Sequence, residues 1–415
     1  VNVMPKKDGQ DRRQFIAGGL TGLAAAALTP SGLQADESPE AVKPETPKDS
    51  IITRKLGKTG IEVPVVSMGV MNAENPHLVA AALERGIRLL DTAHYYQRGK
   101  NEEMVGTVIK SRPRDSFILA SKARPTTVDR ASVQTSRSGE TRETKESFIE
   151  KVEISLKRLK TDYLDILYLH SMRSESDVMD SVAMEAMRAL KKSGKVRFVG
   201  VSTHRNEPEV IRAAVKSGFY DVVLTAFNFK HDKRAEIEAA MAEAVSKGLG
   251  IVAMKTQAGV YWDEERTRPI PMKAALKWAL QNPNVHTAIP GFTTFDQLEE
   301  DITVLTDLSM SAEEKTALFP AEKLASAPLY CQQCGRCETQ CVKGLSLPTL
   351  MRGYMYARGY RNLLAAKDTV RKVLDGGLPC ESCTNCSVRC PHGIEVRQRA
   401  LAMQSVGAIP DEFLA

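Results

Sequence analysis

The spacing Cys-x-x-Cys-x-x-Cys-x-x-x-Cys occurs twice, at Cys331, Cys334, Cys337 and Cys341 and again at Cys380, Cys383, Cys386 and Cys390, and these are all the cysteines of a 415-residue chain. Nothing before residue 331 is a cysteine. Such segregation constrains the fold more than length does. A large region must fold on apolar burial alone, and a small one is organised by its thiols. Length by itself allows two or three domains at roughly 100–200 residues each. A composition 42% hydrophobic and 26% charged excludes a polytopic membrane protein, a disordered chain and a collagen-like one. The net charge of +6 is mild for this size, well short of the concentrated basic stripe of a nucleic-acid binder, so no nucleic-acid partner is expected.

From residue 51 to about 320, β-rich runs alternate with helical ones. A turn-rich start at residues 54–60 precedes an apolar run at 63–70. Further runs follow at 87–93, 117–122, 164–170, 196–203, 222–227, 250–256 and 287–291. Amphipathic stretches separate them; in residues 146–159, Phe148, Val152, Ile154, Leu156 and Leu159 lie on or near one face. Repeated strand–helix units imply a parallel sheet. Eight of them in about 270 residues fit an α/β fold of the (β/α)8 TIM-barrel type. An open doubly wound sheet is the alternative, but its dinucleotide crevice would want Gly-x-Gly-x-x-Gly after the first strand, and none stands there.

In a barrel, chemistry gathers where the strands end. Asp91 closes the second strand, Tyr96 follows it closely, Lys122 closes the third strand and His170 the fourth. Each residue alone reads as a cap or loop position; four at the ends of three successive strands read as a site. A tyrosine hydroxyl, with an ordinary pKa of about 10, is a poor acid at neutral pH. A neighbouring ammonium lowers that pKa, and a carboxylate keeps the lysine charged and aimed. Neutral His170 would polarise a carbonyl oxygen while Tyr96 supplies the proton. The set fits carbonyl reduction, or alcohol oxidation in reverse.

Residues 51–305 resemble the aldo/keto reductases. The resemblance rests on Arg54-x-Leu56-Gly57-x-Thr59-Gly60, on Gly86-x-Arg88-x-x-Asp91-Thr92-Ala93-x-x-Tyr96, and on Ser155-Leu156-Lys157-Arg158-Leu159-x-Thr161-Asp162-Tyr163-Leu164-Asp165 running into His170. It implies a catalytic tetrad of Asp91, Tyr96, Lys122 and His170 with Tyr96 as general acid, and His94 and Tyr95 lining the site. It also implies an extended NADPH, but several contacts depart from the family pattern. Ser202 matches the serine that bonds the carboxamide, whereas Thr203 replaces an asparagine and Leu224 stands where a glutamine is common. Met254 replaces the tyrosine that stacks on the nicotinamide, and Lys255 is a candidate for the pyrophosphate. Gly291 and Gln297 stand where a lysine and an arginine often meet the 2′-phosphate. A bound NAD(P)H is therefore expected, with NADPH and NADH undecided.

Residues 123–145 form a long polar connection directly after Lys122, of the kind that shapes substrate access or is simply solvated. Its Arg124, Arg130, Arg137 and Arg142 suit an acidic substrate or redox partner.

The cysteine spacing fits iron–sulfur ligation. Three closely spaced thiolates wrap one corner of a cluster, and in two-cluster ferredoxins the fourth completes the other cluster. Cys331, Cys334, Cys337 and Cys390 are thus expected on one [4Fe–4S] cluster, and Cys380, Cys383, Cys386 and Cys341 on a second. Pro391 follows the second motif, whereas Val342 takes the corresponding place in the first. Zinc and disulfides are the alternatives; zinc more often uses two separated cysteine pairs. Residues 345–375 interleave Tyr354, Tyr356, Tyr360, Leu363 and Leu364 with Arg352, Arg358 and Arg361, and read as helices packed around the clusters with a basic outer face.

At the other end, Lys6, Lys7, Arg12 and Arg13 precede an apolar stretch from Phe15 to Leu28, too short to span a bilayer. Arg12-Arg13-Gln14-Phe15-Ile16 resembles the twin-arginine export motif, with Asp11 where a serine or threonine is usual. Residues 1–35 are expected to be a signal peptide read by the twin-arginine export machinery, 36–50 a tether, 51–320 the barrel and 321–415 a two-cluster ferredoxin-type domain. Folded export suits a cluster-loaded protein and implies a periplasmic or other extracytoplasmic location with no stable membrane span in the mature chain.

Two functions compete at this level. One is an exported oxidoreductase acting on a small carbonyl or alcohol, exchanging electrons through its clusters with a redox partner protein or electron carrier. The other is an electron-transfer or docking protein whose barrel is catalytically silent.

Overall fold

Eight short parallel strands, following one another in chain order, form the centre of the molecule. They are Met68–Gly69, Leu89–Asp91, Ile118–Ala123, Leu164–Leu169, Val196–Thr203, Val222–Ala226, Gly250–Met254 and Thr287–Ala288. The computed structural model describes residues 50–125, 143–259, 261–263, 266–319, 329–375, 377–383 and 385–414, all within one compact unit, Glu45–Ala415. The export segment and most of the tether lie outside the described residues, as do residues 126–142 of the polar connection.

The sheet closes into a barrel. Val66 bridges Ala288 in parallel fashion, the Ser67 N–H donates to the Ala288 carbonyl at 2.8 Å, and the Ala288 N–H donates to Val65 at 2.9 Å. Ile118–Ala123, Leu164–Leu169 and Val222–Ala226 are buried at every position, as a parallel sheet covered by helices requires. The run at 63–70 is not one strand. Glu62–Pro64 pairs antiparallel with Thr53–Lys55, and only Met68–Gly69 joins the barrel. The Val65 N–H still donates to the Ile52 carbonyl at 3.0 Å, so the pairing runs one residue past Pro64, whose missing N–H falls between ladder bonds. Leu56, Ile61 and Val63 from this hairpin region pack with Leu89, Tyr168, Leu224 and Val252 in the barrel interior. Gly200 makes room for Tyr168: a Cβ there would sit 2.6 Å from the ring.

The helix Lys145–Leu159 shows how the outer layer forms. Thr144 and Ser147 make a reciprocal capping box at its start. Phe148, Val152, Leu156 and Leu159 are buried along one stripe, each large apolar side chain contributing about 1.5–3 kcal/mol. Ile154 falls off that stripe and is 38% exposed.

Beyond the barrel, the helices Leu347–Tyr354, Leu363–Leu374 and Val396–Gly407 share a small core of Leu350, Ala366, Val370, Ala400 and Met403. Gly353 permits the close approach of the first two, since a Cβ there would lie 2.2 Å from Val370 Cγ1. The first helix runs on into a π turn, Met355–Gly359. Arg205 pairs with Glu338, Arg98 with Asp368 at 2.9 Å, and Arg336 with Asp232 at 3.2 Å, each pair joining the cysteine-rich region to the barrel. The Asn362 amide donates to Asn72 at 3.0 Å along the same seam. Among the described residues no helix is long and apolar enough to cross a membrane.

Candidate active site

The strand ends deliver four polar side chains to one place. Asp91 ends its strand, Lys122 is one residue from the end of the next, and His170 directly follows Leu164–Leu169. Tyr96 opens the short turn Tyr96–Gly99. The buried Lys122 ammonium donates to the Asp91 carboxylate, to the Thr92 carbonyl at 2.6 Å and to the Tyr96 hydroxyl at 3.2 Å. The Tyr96 and His170 rings meet edge to face with centroids 5.9 Å apart.

Burial opposes the Lys122 charge, but Asp91 and Tyr96 outweigh it and raise its pKa, so the ammonium persists. Tyr96 differs from the expectation. Burial raises its pKa more strongly than Lys122 lowers it, and the phenol stays protonated. His170 is held well below its usual pKa by burial, with Arg124 and Lys122 adding to the effect, and is neutral at pH 7. Its Nδ1 is buried with no hydrogen-bond partner among the described residues.

These groups open into a cleft of about 1370 Å³. Its far wall comes from the cysteine-rich region, through Arg352, Tyr356, Tyr360 and Asn362. Tyr356 is near enough to Tyr96 to disfavour its phenolate, and the Tyr356 and Tyr360 rings lie 5.8 Å apart. His94 and Tyr95 also line the cleft. His94 Nδ1 is 3.0 Å from the Ser155 hydroxyl, and burial with Arg158 lowers its pKa to about 4; Tyr95 is 47% exposed.

Of the residues assigned to a nicotinamide, Ser202, Met254, Lys255, Gly291 and Gln297 line this cleft. The Ser202 hydroxyl accepts from the Ser171 N–H at 2.8 Å, and the Gln297 side-chain oxygen accepts from the Thr293 N–H at 2.8 Å. Thr203 and Leu224 are fully buried away from it. The Thr203 hydroxyl sits between the carbonyls of Met172 and Arg205, 2.9 and 2.8 Å away, and Leu224 belongs to the barrel interior. A dinucleotide is compatible with the space, which exceeds the roughly 300–1,000 Å³ of ordinary small-molecule sites. Thr256 Oγ1 and His204 Nδ1, both of cleft-lining residues, are buried without partners among the described residues, and a large polar ligand would satisfy such atoms.

The eight thiols are all free of disulfides and fall into two quartets. Burial, then the neighbouring thiols of Cys337, Cys334 and Cys390, pushes Cys331 up to about 12. Burial and the thiols of Cys341, Cys386 and Cys383 likewise raise Cys380. The fourth cysteine of each motif therefore sits with the first three of the other. Among the described residues no three His, Cys, Asp or Glu side chains form a site for a single metal ion. The Cys331 thiol also acts on Lys255, which puts the first quartet beside the cleft.

Arg352 is the residue that sequence reasoning misplaced. Expected on a basic outer face, it is 9% exposed and lines the cleft. Its helix is buried from Leu347 to Gly353, and an arginine inside so apolar a run was the available signal. His204 and Thr256 carried no comparable mark.

The aldo/keto reductase family model matches residues 67–274, half of the chain. An uncharacterized oxidoreductase of Bacillus subtilis, YqkF, is 30% identical over 301 residues, covering 64% of this chain and 94% of that protein. An L-galactose dehydrogenase of Arabidopsis thaliana is 24% identical over 314 residues, covering 65% and 93%. Among solved structures, the holo form of the aldo-keto reductase AKR11C1 from Bacillus halodurans superposes with a TM-score of 0.52 at 25% identity, covering 68% of this chain and 99% of that one. With a closed barrel, the family's motifs at its strand ends and a relative matched almost end to end, this chain belongs to the aldo/keto reductase family.

Proposed function

We propose that the chain interconverts a small carbonyl compound and its alcohol in the barrel cleft, and exchanges the electrons through two [4Fe–4S] clusters bound by its cysteine-rich domain. The observation that carries this reading is the Asp91–Lys122–Tyr96 network, facing His170 in a cleft whose other wall belongs to the cysteine-rich region. Burial keeps the Tyr96 phenol protonated, so its hydroxyl has a proton to give to a carbonyl oxygen. Lys122, fixed by Asp91, stabilises the phenolate left behind. Neutral His170 donates an imidazole N–H to the same oxygen, which orients the substrate and favours the developing alkoxide. A nicotinamide held along Ser202, Met254 and Lys255 supplies the hydride when bound. The hydride would bring both electrons and one hydrogen, and Tyr96 gives the proton; each cluster would carry one electron, so the two together would hold the pair that, with a proton, restores the reduced nicotinamide.

The ligand sets are Cys331, Cys334, Cys337 and Cys390 for one cluster and Cys380, Cys383, Cys386 and Cys341 for the other, in line with the two thiol quartets. Proximity of the first quartet to Lys255 makes it the electron port of the cleft. The name of the L-galactose dehydrogenase relative agrees with chemistry at a CH–OH group. Residues 1–35 direct export of the folded, cluster-loaded protein by the twin-arginine route, and a redox partner outside the cytoplasm recycles the clusters. A silent barrel that only presents clusters draws on the altered nicotinamide contacts, Met254 in place of a stacking aromatic residue, Thr203 and Leu224, and Gly291 and Gln297 in place of a lysine and an arginine.

Tyr96→Phe decides between the readings. It is expected to lower carbonyl reduction by about 10²- to 10⁴-fold while leaving the iron content unchanged. Full activity in that variant, assayed on a panel of small carbonyls, would overturn the role given to Tyr96.

A further inference from the structure

The cleft wall opposite Tyr96 carries cations that have no paired carboxylate among the described residues. Arg352 is nine-tenths buried, and its guanidinium makes no hydrogen bond or ion pair among the described residues. Lys255 and Arg173 line the same cleft, and their side-chain cations also have no such partner among the described residues. Burial and the nearby Arg124, Arg173 and Arg205 lower Arg352 to about 10, while burial and Arg352 lower Lys255 to about 8.

None of the described carboxylates of this cleft is ion-paired with Arg352, Lys255 or Arg173. Asp91 is held by Lys122 and Asp368 by Arg98. Asp177 and Asp180 accept backbone N–H groups of Arg173 and Ala183, and Glu300 that of Lys273. Asp301 faces the Gln257 amide. Glu207, the carboxylate that acts on Lys255, lies 3.3 Å from His231 Nε2. A buried guanidinium without a partner is costly, and its planar fork matches a carboxylate or phosphate in two parallel hydrogen bonds. Arg352 and Lys255 both act on His170 and on His204, so the unpaired charge stands beside the reacting centre.

We propose that Arg352, together with Lys255, binds an anionic group, a carboxylate or phosphate, carried by the compound that reacts at Tyr96. The inference rests on the carbonyl/alcohol reading and narrows it to acidic substrates. Arg352 comes from the cysteine-rich region rather than the barrel, so that region sets specificity as well as holding the thiols. A second source of the same chemistry is the pyrophosphate of a dinucleotide, and the test separates the two.

The full chain, purified without oxygen and with its iron, is titrated calorimetrically with oxalate and inorganic phosphate as probes, and separately with NADPH and NADH. Arg352→Gln is expected to weaken oxalate or phosphate binding by about tenfold or more, as loss of a charge-assisted hydrogen bond implies, with nicotinamide affinity changed by less than about twofold. Arg352→Met, which keeps the length of the buried stem without the charge, gives the same answer if Arg352→Gln fails to fold. Unchanged probe binding in the folded variants overturns the proposal. So does an equal loss of nicotinamide affinity, which assigns the cations to the pyrophosphate. Because the readout is binding, an anion site lost in Arg352→Gln stands even if Tyr96→Phe turns over normally, and the two failures remain distinguishable.

Discussion

The barrel and the cysteine-rich region share one cleft but are held together by different means. In the barrel, strand after strand is buried on both faces, and Leu90, Leu169, Val199 and Val223 are completely enclosed without any cysteine. The cysteine-rich region buries a short list of side chains around Leu350, Val370 and Met403, and seven of its eight cysteines are only half-buried. A core that small supplies little stability unaided, and metal ligation is the usual supplement. The contrast teaches where each region is vulnerable: the barrel to changes in packing and buried charge, its neighbour to loss of a thiolate.

The largest expected effect therefore lies in the cysteines. Cys331→Ser and Cys390→Ser are expected to remove the same cluster, each losing about half of the iron. Their combination is then no worse than either alone, whereas Cys390→Ser with Cys341→Ser loses both clusters. Iron analysis with electron paramagnetic resonance reads this out, and additive losses for Cys331 and Cys390 would break the crossed assignment.

A smaller effect is expected in the barrel at Asp301, on the helix Phe295–Ile302. Burial, and secondarily Glu300, raises its carboxyl to about 8. The stability that the protonated carboxyl contributes is complete below its unfolded pKa near 4, and it is lost as pH rises through about 8. Asp301→Asn, neutral throughout, should gain on the native chain between pH 5 and pH 9 by on the order of 1–3 kcal/mol in unfolding free energy. A gap in unfolding midpoints that stays constant across that range would contradict the assignment.

Much of the barrel was legible because strand and helix periods are local. Asp91, Lys122 and His170 were found by asking which polar residues end strands, and the closed sheet brings them to Tyr96. The hairpin at Glu62–Pro64 was missed because an apolar run does not reveal which partner its edge will meet. Thr203 and Leu224 were assigned by resemblance; Thr203 is the strand neighbour of the cleft-lining Ser202, with its hydroxyl on the Met172 and Arg205 carbonyls, and Leu224 packs in the barrel interior. The Tyr96 pKa went opposite to expectation because its desolvation depends on what covers the cleft, a property of the assembled fold. Arg352 was misplaced for the same reason, although the apolar run around it hinted at burial. Periodicity marks a buried face, but not whether its neighbour is the helix core, the solvent or a catalytic cleft belonging to another part of the chain.

In the proposed function, cleft and clusters form one redox unit. Anaerobic titration of the oxidised protein with NADPH and with NADH, followed by visible absorbance, is the sharpest test. One nicotinamide releases two electrons and each cluster accepts one. At least one of the two nucleotides is expected to bleach both clusters at about one equivalent per chain. Clusters that dithionite reduces but neither nucleotide bleaches would contradict it.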